Sequence, residues 1–168
     1  TEMLLCRGYE VLSVLGGSED LYAGQAVDRV GVRLGFPFPA GQYVSELAQK
    51  WGEPVRPKVS VRGMNCSLSG LENQCDALMK KEAPAEQVAH YCLSYIAQTV
   101  LKMIQNAREL YPGLPVVCAG GVMSSDVIRG QVSARAKDVF FVPGKFSSDN
   151  AIGAALIAAN EVGQWNKQ

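Results

Sequence analysis

The sequence predicts an α/β fold with a partly parallel sheet flanked by helices. Three observations carry that prediction: short β-prone runs lie near both ends of the chain, stretches with helical apolar spacing separate them, and glycine or proline stands at most junctions. The 168 residues suit one domain, with 48% apolar and 19% charged residues, a composition that excludes a disordered or fibrous chain. The 16 basic and 16 acidic residues cancel, so no overall field draws the chain to nucleic acid or to an anionic membrane, and any RNA contact would have to be local.

Residues 2–7 and 9–15 are short β-prone runs separated by Gly8, predicting a hairpin that ends at Gly16-Gly17. Leu21, Val27, Val30 and Leu34 space a helix over 21–34, with Ser18 as a candidate cap and Gly35 just past its end. A Pro-rich turn over 35–41 leads to a second helix over 42–51, and residues 57–70 read as irregular or strand-like. The longest helix is expected from Pro84 to about Leu110, where Val88, Cys92, Tyr95, Ile96, Thr99, Met103 and Ile104 share one apolar face. Beyond Tyr111-Pro-Gly, strands over 115–119 and 139–142 alternate with helices over 122–136 and 148–162. That alternation implies the parallel part of the sheet. No second domain, repeat or low-complexity tract is apparent.

The five cysteines are odd in number and contain no Cys-x-x-Cys pair, which argues against a disulfide framework or a zinc knuckle and suits a reducing cytoplasm. No apolar run reaches membrane-spanning length, and Thr1-Glu2-Met3-Leu4-Leu5 lacks a basic secretory start. Without a start methionine, the chain reads as a processed or truncated piece of something longer.

Chemistry could reside in three places. In Val116–Ser125 a buried run stops at Gly120-Gly121 and a helix is expected at once, an arrangement that aims backbone N–H groups and a positive helix end at one spot. The same glycines could serve only to turn the chain sharply. Ser147-Ser148-Asp149-Asn150 is a good helix start, and it would also hold Asp149 as a metal ligand at the mouth of the same cleft. Gly24 and Gly31 each cost roughly 1 kcal/mol relative to Ala inside a helix, so a packing or ligand reason is needed. Gly24 precedes Asp28 by one turn, leaving room beside a carboxylate that could accept hydroxyl hydrogen bonds; a tight helix crossing with Asp28 exposed is the competing reading. His90, the only histidine, falls off the apolar stripe and reads as solvated.

Taken in order, Gly24-Gln-Ala-Val-Asp28, Pro39-Ala-Gly41, Ser67-Leu-Ser-Gly-Leu71, Ala119-Gly-Gly-Val122 with Ile128-Arg129, and Phe146-Ser-Ser-Asp-Asn150 resemble the C-terminal lobe of the tRNA threonylcarbamoyladenosine transferase family, formerly known as glycoprotease or O-sialoglycoprotein endopeptidase. The resemblance implies one lobe, spanning 1–168, of an actin/Hsp70-like (ribonuclease H-like) fold. It implies also that Thr1-Glu2 follows a phosphate loop and that a missing N-terminal lobe carries a His-x-x-x-His pair. Asp28 would then bond the ribose or acyl part of an adenylate, and Gly24 and Gly41 would line its pocket. Gly120 and Gly121 would lie against the nucleotide, and Asp149 would be this lobe's metal ligand. The implied cofactors are ATP or threonylcarbamoyl-adenylate and a divalent metal, iron or zinc, with no metal held by this lobe alone. The implied partners are the N-terminal lobe, tRNA, family proteins and, in a homodimer, a second copy.

Three departures stand out. Asp20-Leu21-Tyr22-Ala23-Gly24 replaces a pair of aspartates before Ala-Ala-Gly, Ala40 interrupts Pro-Gly-Gly, and Ser125 stands for an asparagine, offering one donor and a shorter reach. They motivate a rival reading as a non-catalytic paralogue acting as a partner-binding scaffold. The older metallopeptidase label finds no His-Glu-x-x-His helix in this chain.

Overall fold

The computed structural model describes residues 1–147 together with 153, 154, 157, 158 and 160; Asp149 and most of the helix expected over 148–162 lie outside them. The chain runs β1 (Glu2–Arg7), β2 (Glu10–Gly17), α1 (Ala23–Arg33), α2 (Gly41–Ala48), β3 (Ser60–Arg62), β4 (Asn65–Ser67), α3 (Ser69–Met79), α4 (Ala85–Leu110), β5 (Val116–Cys118), α5 (Asp126–Ser133), β6 (Val139–Phe141) and α6 (Gly144–Ser147). It is a mixed α/β domain. Among the described residues the strands form three separate two-stranded sheets: β1–β2 and β3–β4 are antiparallel, and β5–β6 is parallel. The parallel pairing expected near the end of the chain is therefore present, but not within one continuous sheet.

Helix α4 organises the core. The sequence suggests one apolar stripe, yet Ala89, Leu93, Ala97 and Leu101 are buried together with Val88, Cys92, Ile96 and Ile104. A helix buried around most of its circumference is the centre of a domain rather than its surface. Helices α2, α3 and α5 all pack against it. Ile104 and Ile128 are fully buried, each contributing about 1.5–3 kcal/mol of hydrophobic stabilisation.

His90 is the first correction. It is half-buried, its Nδ1–H donates to the Ala48 carbonyl at 2.9 Å, and its Nε2 faces the Gln131 amide at 3.4 Å. The ring closes the carboxyl end of α2 and touches α5, because both helices pack on its side of α4. A second correction concerns residues 122–136. Val122–Ser124 form a single 3-10 turn, the backbone becomes extended at Ser125, and α5 starts only at Asp126. The helix N-terminus thus stands one turn away from Gly120-Gly121. A third is α3, which begins at Ser69, inside the stretch 57–70 read as irregular or strand-like, and runs on to Met79.

Candidate functional site

The site is built where β1 begins, α1 begins and β5 ends. The Thr1 hydroxyl accepts the Ala23 N–H at 3.0 Å, satisfying one of the donors that the start of α1 leaves unpaired. One residue on, Gly24 faces the turn after β5: a Cβ built there would lie 3.9 Å from Val122 Cγ2, an ordinary contact with room to spare. Gly31, two turns further along the same helix, is the opposite. Its Cβ would fall 2.4 Å from Ala40 Cβ and 2.8 Å from Val44 Cγ2, so Gly31 exists for the α1–α2 crossing. The two helical glycines therefore divide the two readings between them.

Gly24, Gly120 and Gly121 all line one cavity of about 760 Å³, together with Thr1, Tyr22 and the apolar side of α4. Gly120 has φ +105°, a conformation other residues adopt only at a cost. Gly121 has helical φ and ψ, and a Cβ there would meet nothing within 4 Å. The Gly120, Gly121 and Val122 N–H groups find no acceptor among the described residues, whereas the next three N–H groups bond back to the Gly120, Gly121 and Val122 carbonyls. An anion or a carbonyl resting on this turn would find those donors free. The location obeys the rule that α/β folds bind ligands beyond the carboxyl ends of parallel strands.

Asp28 and Gly41 meet each other just outside that cavity's lining. Asp28 Oδ1 accepts the Ala40 and Gly41 N–H groups at 2.8 and 3.0 Å, capping α2 from the neighbouring helix. Asp28 is accordingly half-buried, not the exposed side chain of the competing reading. Ser125, which ends the turn, is 8% exposed and accepts a hydrogen bond of 3.1 Å from Ser45, which ties α2 to α5.

Asp20 is a positioning residue that the spacing of apolar residues does not single out. Burial works against its charge, but hydrogen bonds from the Ser67 hydroxyl, the Leu68 N–H, Ser69 and the Leu21 N–H outweigh it and hold the carboxyl well below its usual range. The same side chain thereby fastens the approach to α1 onto the start of α3. An aspartate just before one helix, and two serines bracketing the start of another, are the sequence signal. Cys118, beside the glycine turn, is buried, and burial pushes its thiol up to about 11, so it is no nucleophile.

No group of three His, Cys, Asp or Glu close enough to share a metal ion occurs among the described residues. His90 has both ring nitrogens engaged, and Asp149 lies outside the described residues. No helix among the described residues is long and apolar enough to cross a membrane.

Fold and site together define a small mixed α/β domain with a glycine-walled cavity at its strand ends. A family profile described as TsaD, tRNA N6-adenosine threonylcarbamoyltransferase, matches residues 1–156, and the chain belongs to that family. Proteins of that name from Streptococcus pneumoniae strain CGSP14 (29% identical; 100% of this chain, 52% of the relative), Anaeromyxobacter dehalogenans strain 2CP-1 (32%; 94% and 51%) and Thermus thermophilus (30%; 89% and 49%) are similar to it. The chain spans about half the length of the curated relatives it matches.

Proposed function

We propose that this chain forms one wall of the nucleotide cleft of a two-lobed, actin/Hsp70-like enzyme that transfers a threonylcarbamoyl group to N6 of a tRNA adenosine. In this reading 1–168 is the C-terminal lobe, and the other half of the family fold closes the cleft in the cytoplasm. The supporting observation is Gly121: neither its backbone nor its neighbours call for glycine, whereas a ligand lying against the turn does.

The described residues bind and orient. Gly24 and Gly121 leave a flat surface for the adenine nucleoside of ATP or of threonylcarbamoyl-adenylate, and the free N–H groups of the turn donate hydrogen bonds to its oxygens. Asp28 holds Gly41 with one carboxylate oxygen and keeps the other for a ribose hydroxyl. Ser125 accepts from Ser45 and keeps its own hydroxyl proton to donate to the ligand. A divalent metal, iron or zinc, would be held by the other half with Asp149 as this lobe's ligand, and the described residues assemble no donor set for it.

Calorimetric titration of ATP into a protein that joins this chain to the other half of the family fold tests the reading. Gly121→Val is expected to weaken binding at least tenfold, since a side chain would stand where the ligand lies. Equal affinity for the variant and the parent, or no ATP binding by the parent, overturns it. The second outcome, with a stable partner complex, is what a scaffold paralogue would give.

A further inference from the structure

The segment that leads into β3 runs over the outside of the domain, and exposure alternates along it. Val55, Pro57, Val59 and Val61 are half-buried, while Arg56, Lys58, Ser60 and Arg62 between them are exposed. A period of two sustained over eight residues is that of an extended chain lying with one face down. Val59 and Val61 pack on the core beneath. Gln74 of α3 accepts the Lys58 N–H at 3.1 Å and donates to the Lys58 carbonyl at 2.9 Å, and Asn106 of α4 donates to the Gly63 carbonyl at 2.6 Å. Pro54 and Pro57 fix φ in the part that has no partner strand. The outward row is thus held in place before anything binds to it, which lowers the entropy that binding costs.

Opposite charges cancel over the whole chain but not here: residues 54–71 contain Arg56, Lys58 and Arg62 and no acid. None of the three is ion-paired among the described residues. Nor is a large apolar side chain exposed anywhere between residues 44 and 109, so the row lacks the anchor that a lipid surface or the core of a protein interface requires. Alternate residues of an extended chain stand about 6.5 Å apart, a step close to that between neighbouring phosphates of a nucleotide strand. We propose that Arg56, Lys58, Ser60 and Arg62 form a strip that binds successive phosphates along an RNA backbone. The inference rests on the function proposed above, in which that RNA is the tRNA. The strip also ends in the right place. Asn65, the cross-strand partner of Arg62, lines a smaller cavity with Thr1 and Tyr22, and those two residues line the glycine-walled cavity as well.

Filter binding of a tRNA transcript to the full-length family protein that carries this chain, over a series of salt concentrations, tests the strip. Replacing all three bases, Arg56→Ala, Lys58→Ala and Arg62→Ala, is expected to weaken binding at least tenfold at about 0.1 M salt and to reduce the slope of log affinity against log salt by about 2, with the melting midpoint unchanged. Arg56→Lys, Lys58→Arg and Arg62→Lys together keep the charges and should keep both affinity and slope. Unchanged affinity and slope in the alanine variant overturn the proposal, and so does an equal loss in the charge-conserving one. Phosphatidylserine vesicles that bind the parent and not the alanine variant would make a lipid surface the occupant and overturn it too. ATP titration of the same proteins separates the two readings: ATP binding by a parent whose tRNA affinity ignores the three bases removes the strip alone, and strip-dependent tRNA binding without ATP binding removes the nucleotide alone.

Discussion

Gly16-Gly17 and Gly120-Gly121 are alike in sequence and opposite in surroundings. A Cβ at Gly16 would sit 2.3 Å from the Met64 carbonyl oxygen, and one at Gly17 2.6 Å from the Thr1 oxygen, both backbone atoms. Cβ atoms at Gly120 and Gly121 would meet nothing. The first pair lets three chain segments touch, and glycine there is a packing requirement. The second pair faces open space, so its use is conformational at Gly120 and, in the proposed function, reserved for a ligand at Gly121. A Gly-Gly motif alone does not distinguish these; the atoms a Cβ would strike do.

Substitutions can break the comparison in sequence of effect. Gly16→Ala is expected to cost about 3 kcal/mol by overpacking against backbone, lowering the melting midpoint by roughly 6–12 °C in calorimetry. Gly120→Ala should cost about 1–2 kcal/mol from φ +105° alone, with no clash, and a loss as large as that of Gly16 would show that the turn is packed after all.

Asp20 ties the Gly16-Gly17 region to α3, and its folded pKa is depressed, so its contribution is present above the unfolded value of about 4 and is lost as pH falls below that. Asp20→Asn should therefore narrow the gap between melting midpoints at pH 7 and pH 3; an unchanged gap would remove Asp20 from the acid response. The smallest effect belongs to Gly121→Ala, for which stability should stay level or rise by up to about 1 kcal/mol, since the backbone is already helical.

The parts of the fold legible in the sequence are those where apolar spacing survives: the hairpin, α1, α4 and the strand pair at Val116 and Val139. Helix α3 escapes because its buried face includes an acid. Glu72 is 9% exposed and lies beside Leu71 and one turn before Cys75, which makes the face look polar until its partners arrive. Arg29 and Arg33 of α1 meet that carboxylate at 3.0 Å each, and Asp76 takes a second nitrogen of Arg33. No local window contains both ends of those pairs.

His90 misleads for a related reason. A polar residue off the main stripe reads as solvated, while here two further helices cover that side of α4 and use the ring to terminate α2. At the site, Gly24 and Gly120-Gly121 stand out in the sequence separately, and it is the fold that brings them to one cavity. The 3-10 turn that delays α5 is not legible, because Val122–Ala136 reads as one continuous helix until Ser125 turns extended.

The notch at Gly31 carries a mechanical consequence. With Ala40 and Val44 seated in it, Asp28 hooked on the start of α2, and Ser45 joined to Ser125, an unbroken series of short links runs from the helix bearing Gly24 to the one that follows the glycine turn. Neither bank of the cavity can slide past the other without breaking a link. In the proposed two-lobed enzyme, any opening and closing of the cleft would be hinged elsewhere, and this body would ride through the motion as one rigid jaw.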